Sequence, residues 1–211
     1  MAVYTIGDIV RDVRVALDQN VSDGRLSGFG DADTLSVDEI IRSKIADSVR
    51  RIHGNAPLYM LEGTSFGDSI NWEKDGCGWV LLPDDFMRLV VFEMSDWSRA
   101  VYDAITPDDP KYRIQQSKFA GVRGNASNPV CALCVRPEGK VLEFYSSNDS
   151  RARISRALYI PHPKTDAYGG IDISPRCYDA VVYMAASLSA SALGDNERSA
   201  ALASQSASSL V

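Results

Sequence analysis

Two cysteines three positions apart, Cys131 and Cys134, are the first residues in this chain that suggest metal chemistry. A structural zinc site needs four ligands, so this pair would need a second pair or nearby histidines at ligand spacing. The two histidines, His53 and His162, stand far from the pair in sequence. We therefore expect Cys131 and Cys134 to be small residues of a β-core, and we expect no metal and no cofactor.

Two pairs of adjacent aspartates offer carboxylates for acid–base chemistry, Asp84 with Asp85 and Asp108 with Asp109. Each pair follows a proline in a predicted turn, where aspartate accepts hydrogen bonds from free backbone amides. We interpret both pairs as turn and capping residues and predict no catalytic residue. A hydrolase that holds a metal ion on these turns stays open as an alternative, which metal-dependent activity would reveal.

Three arginines near predicted β elements, Arg123, Arg151 and Arg153, form a predicted interface. Contact with a nucleic-acid backbone is one use of such residues. The net charge of −6 opposes it, because free nucleic-acid binding usually requires a clustered basic surface. We expect these arginines to contact other proteins, since the arginine fork suits protein interfaces.

Length and composition limit the number of domains and the class of protein. The 211 residues, of which 45% are hydrophobic, predict one domain or one domain with an insertion. No stretch reaches the roughly 18 apolar residues of a spanning helix, and the first residues do not resemble a signal peptide. We expect no membrane association, reduced thiols and synthesis inside the cell.

Helical patterns occupy both ends of the chain. Thr5 is the predicted cap of a helix over residues 5–19, and Ser36 with Glu39 forms a capping box for a second helix that Gly54 ends. We expect the second helix to pack mainly on the first. Ser174 and Pro175 predict the start of a third helix, and a fourth covers residues 196–210. That last helix is rich in alanine and serine, so it needs a partner, either this chain's own bundle or another subunit.

The middle of the chain has the texture of antiparallel strands. Residues 79–82 and 88–97 are predicted strands joined by a turn at Pro83, and a short helix follows Asp109–Pro110 to about residue 119. Further strands are predicted over residues 69–72, 130–136, 140–146 and 153–160. The predicted fold class is α+β, with a helical bundle from residues 1–55 and 174–211 and an inserted antiparallel β module over residues 56–173.

Several short sequences give this layout a family resemblance. Residues 82–89 read Leu-Pro-Asp-Asp-Phe-Met-Arg-Leu and lead into the strand that ends at Trp97. Residues 178–186 read Tyr-Asp-Ala-Val-Val-Tyr-Met-Ala-Ala, and a Gly194-Asp195 step breaks the Ala-rich C-terminal region. With the capped helix that ends near His53, this resembles the head–tail connector, or adaptor, proteins of tailed bacteriophages, of the short-tailed and crAss-like types.

The resemblance implies a virion structural protein in the neck of the particle, assembled in the host cytoplasm. It implies a ring of about twelve copies that joins the portal protein to the next tail protein, with DNA passing through the lumen. The loops over residues 20–33 and 121–129 would order on assembly. A tail-completion or gatekeeper protein further down the neck is the closest alternative. The chain ends just after its last helix, so we expect no long arm around the portal. The expected portal or subunit interface comprises Arg198, Leu202, Gln205, Leu210 and Val211, and the β module would face the tail through its three arginines.

Overall fold

The chain divides into two compact units. The computed structural model describes residues 2–17, 35–67, 69–117, 119, 121–166 and 169–211, and the whole of the predicted loop over residues 20–33 lies outside them. Unit 1 comprises Met1–Glu62 with Pro163–Val211, and unit 2 is the continuous segment Gly63–His162. Residues 56–62 and 163–173, which we had assigned to the β module, therefore belong to unit 1. Helices and antiparallel sheets are both present, so the α+β class is confirmed.

Five α-helices occur within the described residues. Four of them lie in unit 1 and one short helix lies in unit 2. None of the described helices is both long and apolar enough to cross a membrane. The helices are α1 (Ile6–Ala16), α2 (Val37–Asn55), α3 (Pro110–Gln115), α4 (Tyr178–Ala192) and α5 (Asn196–Ser208).

Helix α4 is the centre of unit 1. It contacts α1, α2 and α5, and its buried residues are mostly small, such as Ala180, Ala185 and Ala186. Small side chains let neighbouring helices approach closely from several directions. The isoleucine stripe of α2, which includes Ile41 and Ile45, therefore packs mainly on α4 and less on α1. Our expectation that α1 would be the main neighbour of α2 was wrong.

Within unit 1, the predicted helix caps agree with the structure at three of four sites. The Thr5 hydroxyl accepts a hydrogen bond from the Asp8 amide at 3.1 Å, and the capping box of Ser36 and Glu39 is complete. Asp195 caps α5. The fourth site differs, because Ser174 provides no side-chain cap and its hydroxyl donates instead to the Met60 carbonyl. Helix α4 is entered through a 3₁₀ turn over Pro175–Cys177.

Nine strands form three antiparallel sheets within the described residues. One sheet, formed by β1 and β9, lies in unit 1. It joins the segment of the chain that precedes unit 2 to the segment that follows it. We had not predicted either of these strands. Unit 2 contains the sheets β2-β8-β5 and β3-β4-β7-β6. The strands are β1 (Ala2–Thr5), β2 (Thr64–Ser65), β3 (Asn71–Trp72), β4 (Gly78–Leu81), β5 (Phe86–Met94), β6 (Cys131–Arg136), β7 (Gly139–Phe144), β8 (Ile154–Pro161) and β9 (Gly170–Ile173).

Strand β5 differs from its prediction in its bounds and in the directions that its side chains face. It begins two residues earlier and ends three residues earlier than the predicted strand over residues 88–97. Three register shifts against β8 break the regular alternation of its side chains. Consequently Leu89 and Phe92 belong to the same buried cluster, although strict alternation places them on opposite faces. Strict alternation predicts an apolar face of Arg88, Val90, Phe92, Met94 and Asp96, and only Phe92 and Met94 of these are buried.

The core of unit 2 is aromatic. Phe66, Phe92 and Phe144 form a continuous set of ring contacts, and Trp97 packs edge-on against two of these rings. Trp72 packs against the same cluster and Trp79 against a second one, as expected of sheet anchors. The predicted role of the cysteines is confirmed too. Cys131 and Cys134 are unbonded, buried in these two different clusters and thus on opposite sides of β6.

Candidate interaction surfaces

A groove of about 440 Å3 lies between α1, α4 and α5 in unit 1. Its lining combines apolar side chains with two carboxylates and two tyrosines. Val15 in its wall is 59% exposed, which is unusual for a large aliphatic residue on an amphipathic helix. The lining residues are Asp12, Val15, Ala16, Tyr178, Asp179, Val182, Tyr183, Leu202 and Gln205.

Tyr178, one of the two tyrosines in the groove, connects β1, α1 and α4 of unit 1. The ring of Tyr178 stacks on Tyr4 with a centroid distance of 4.4 Å, and its hydroxyl donates to Asp12 at 2.7 Å. Burial and the bond to Asp12 raise the pKa of Tyr178, so the phenol stays protonated and remains a donor. This holds α1 in a defined position beside the first turn of α4.

Helix α5 closes the other side of the groove through hydrogen bonds from small side chains. The Ser206 hydroxyl donates to the Ala180 carbonyl at 2.7 Å, and the Ser187 hydroxyl donates to the Ser199 carbonyl at 2.8 Å. Leu202 is only 7% exposed. The partner that this helix needs is therefore α4 of the same chain.

The predicted C-terminal interface residues divide into engaged and exposed members. Leu202 is only 7% exposed and packs mainly within unit 1, although it lines the floor of the groove. The guanidinium of Arg198 donates to the Leu17 carbonyl at 3.0 Å. Leu210 is half-buried, whereas Arg198, Gln205 and Val211 are exposed. Arg198, Gln205 and Val211 are therefore the accessible part of the predicted surface.

The three arginines predicted for the β-module interface contact different partners. Arg123 is half-buried and donates to the Asp75 carbonyl and, at 3.2 Å, to the thiol of Cys77. Arg151 pairs with Asp149 at 3.1 Å. Arg153 is exposed. Of the three, Arg123 has a structural role in this fold, because it ties the segment before β6 to the β3–β4 turn.

The segment held by Arg123 presents apolar side chains to solvent. The base of residues 116–123 is closed by buried Gln115, whose side-chain oxygen accepts from the Gly124 amide at 2.8 Å. Phe119 is 75% exposed and Val122 is also exposed. A loop with a fixed base and exposed apolar residues is typical of a contact surface.

Sequence reasoning missed a buried ionic network on the sheet β3-β4-β7-β6. Two nitrogens of Arg136 donate to one oxygen of Glu143, at 2.8 and 2.6 Å, and a third donates to Glu73 at 2.6 Å. The guanidinium also lies over the ring of Trp79, 5.2 Å from its centroid. Tyr145 donates its hydroxyl to the second oxygen of Glu143. A glutamate between Leu142 and Phe144 was the signal in the sequence.

The network keeps Glu143 ionised although its side chain is only 8% exposed. Burial acts to raise the pKa of Glu143, but the hydrogen bonds from Tyr145 and Arg136 outweigh it and leave that pKa below its usual value. Burial, with a bond to Cys134, raises the pKa of Tyr112 to about 12. Each charge in this network has a partner, so its role is structural: it ties α3 and β6 to β7.

The two aspartate pairs have different roles. Asp109 caps α3 by accepting from the Lys111 amide at 2.8 Å, as predicted. Asp85 accepts instead from the Tyr159 hydroxyl at 2.8 Å, which joins the turn before β5 to β8. Within the described ranges, no group of three histidine, cysteine, aspartate or glutamate side chains is arranged to hold a metal ion.

No protein-family model matches this chain, and no curated protein matches it. The function is therefore argued from the architecture and the surfaces described above.

Proposed function

We propose that this protein is a virion structural protein, a head–tail connector or adaptor that forms an oligomeric ring between the portal and the tail of a bacteriophage. In this proposal unit 1 is the helical bundle that contacts the portal and neighbouring subunits. Unit 2 is the inserted β module that faces the next tail protein. DNA passes through the lumen, and the particle neck is the site of action.

One observation carries the proposal. The helices from the two ends of the chain fold together as unit 1, and the continuous middle segment forms unit 2. This is the layout that the resemblance implies for a connector. The features on which the resemblance is based are present as a turn at Pro83, a capped α2 and a break between α4 and α5 at Gly194-Asp195. The accessible groove of unit 1 and the apolar loop around Phe119 support a protein that acts through contacts.

The test is the mass of the assembly. The purified protein is measured by native mass spectrometry, alone and with the portal protein of the same virus. We expect a ring of about twelve copies, formed alone or on the portal. A protein that stays monomeric and does not bind the portal contradicts the proposal. Binding only to a preformed connector ring supports the gatekeeper alternative instead.

A matched pair of variants tests which unit meets the portal. Removing all of α5 is uninformative, because Leu202 and Ser206 belong to the core of unit 1. Val211 and Val135 are both highly exposed valines, one in each unit. We expect Val211→Asp to weaken portal binding and Val135→Asp to leave it unchanged. The reverse pattern assigns the portal contact to unit 2.

A further inference from the structure

We propose that the groove between α1, α4 and α5 receives the exposed face of helix α2 from a second copy of this chain. This inference rests on the ring-forming function proposed above and names the surfaces that join neighbouring subunits. Both surfaces belong to unit 1.

The charged side chains that line the groove are acidic. Its lining includes Asp12 and Asp179 and no basic side chain. Asp12 is engaged with the Tyr178 hydroxyl and with Arg11. The exposed carboxylate of Asp179 has no hydrogen-bond or ion-pair partner within the part of the chain that the structure describes. Val15, which is 59% exposed, supplies apolar surface beside these carboxylates. The groove therefore suits a helix with small and basic residues on one face.

The exposed face of α2 has that chemistry. Arg42, Ala46 and Arg50 are spaced four residues apart on the helix, so they lie on one stripe, and all three are exposed. From residue 42 to the end of α2 there are four lysine or arginine residues and one acidic residue, Asp47, which pairs with Arg50 at 3.3 Å and with Arg51 at 2.8 Å. This segment therefore keeps an excess of positive charge. The small Ala46, with exposed Ser43 beside it, allows a second helix to approach closely between the two arginines.

The packing of unit 1 places these two surfaces on different sides. The stripe of Ile41, Ile45 and Val49 is buried, so the arginine stripe faces away from α4. Helix α1 contacts both α2 and α4, and the groove lies between α1 and α5. A contact between two different patches of identical subunits is heterologous, and such contacts generate a ring when the rotation between neighbouring subunits closes. Complementary charges fix the register of this contact.

The test is a charge exchange in the full-length protein. Asp179→Arg and Arg50→Glu are each measured by analytical ultracentrifugation, under the conditions in which the wild-type protein assembles, alone or on the portal. We expect each variant alone to weaken assembly about tenfold or more, because like charges then face each other. We expect an equimolar mixture of the two variants to assemble again, because the altered groove of one fits the altered helix of the other.

The control is Glu197→Arg. Glu197 is exposed in the first turn of α5, as Asp179 is in the first turn of α4, so both changes have the same effect on a helix dipole. We expect the control to assemble normally, with all variants keeping the helical circular dichroism of the wild type. Wild-type assembly by both single variants, or no recovery in the mixture, overturns this inference while the ring persists. A wild-type chain that never assembles overturns the ring proposal as well.

Discussion

Replacing Glu143 by leucine tests the ionic network of unit 2. Leucine removes the acceptor of two bonds from Arg136 and of one from Tyr145. Breaking a fully buried ion pair by removing one partner costs about 3–5 kcal/mol, since the other charge then stays buried without compensation. Arg136 is 27% exposed and keeps Glu73 as its one remaining carboxylate within the described residues. We therefore expect unit 2 to lose less than that, about 2 kcal/mol of free energy of unfolding.

Tryptophan fluorescence provides a selective assay for this loss. All three tryptophans, Trp72, Trp79 and Trp97, lie in unit 2. Their emission during urea titration reports unit 2, and far-ultraviolet circular dichroism reports mainly the helices of unit 1. At a slope of about 2 kcal/mol per M urea, the fluorescence midpoint is expected to fall by about 1 M. The dichroism midpoint is the internal control.

The double variant Glu143→Leu/Arg136→Met separates the ion pair from the loss of volume. With both charges removed, no buried charge is left unpaired, and we expect the double variant to be more stable than Glu143→Leu alone. The reasoning is refuted if Glu143→Leu costs less than about 1 kcal/mol, or if the two single effects add in the double variant.

The same network predicts a dependence on pH. The pKa of Glu143 is lower in the folded protein than its usual value, so the unfolded state binds a proton first as pH falls. The stabilisation is complete above the unfolded pKa of about 4.3 and is lost as pH falls through the folded pKa. We expect the wild-type fluorescence midpoint to fall in that range and the Glu143→Leu midpoint to fall less.

Three further predictions concern single sites. Burial lowers the pKa of His53 to about 4. Unit 1 should therefore lose about 3 kcal/mol of stability as pH falls from about 6.5 to 4. Dichroism melts should show this loss, and His53→Phe should remove it. Gly76 has a φ of +72°, and an added Cβ would lie 1.9 Å from the Ser147 carbonyl oxygen. Gly76→Ala should therefore destabilise unit 2 by about 1–3 kcal/mol, whereas Gly121→Ala, which meets nothing within 4 Å, should not. Asp195→Ala should cost unit 1 about 1 kcal/mol in thermal unfolding through loss of the α5 cap, and an unchanged melting temperature would contradict that role.

Several local structures could be predicted because their causes lie within a few residues. The capping box of Ser36 and Glu39 and the cap of α3 by Asp109 need no contact from elsewhere in the chain. The turn at Pro83 and the hairpin between β6 and β7 are local in the same way. The alternation of side chains in a regular strand was enough to place Cys131 and Cys134 on opposite faces.

The candidate surfaces could be predicted only in part. The C-terminal helix was correctly singled out as one that needs a partner, but its amphipathic pattern does not say which helix that is. Leu202 consequently joined the core, while Gln205 stayed accessible at the groove. The arginines of the β module looked alike in sequence. Arg123, however, is bonded to two residues that precede it by 46 and 48 positions.

By itself, the sequence determined the capped helices at both ends, the strand-rich middle and the turns between them, because propensity, capping and side-chain period act over short distances. Tertiary structure alone decided which elements meet. The pairing of β1 with β9, the position of α4 among α1, α2 and α5, and the bulges of β5 against β8 all join distant segments. The same is true of the partners of Arg136. Such contacts depend on the free energy of packing whole elements together, which no local pattern specifies.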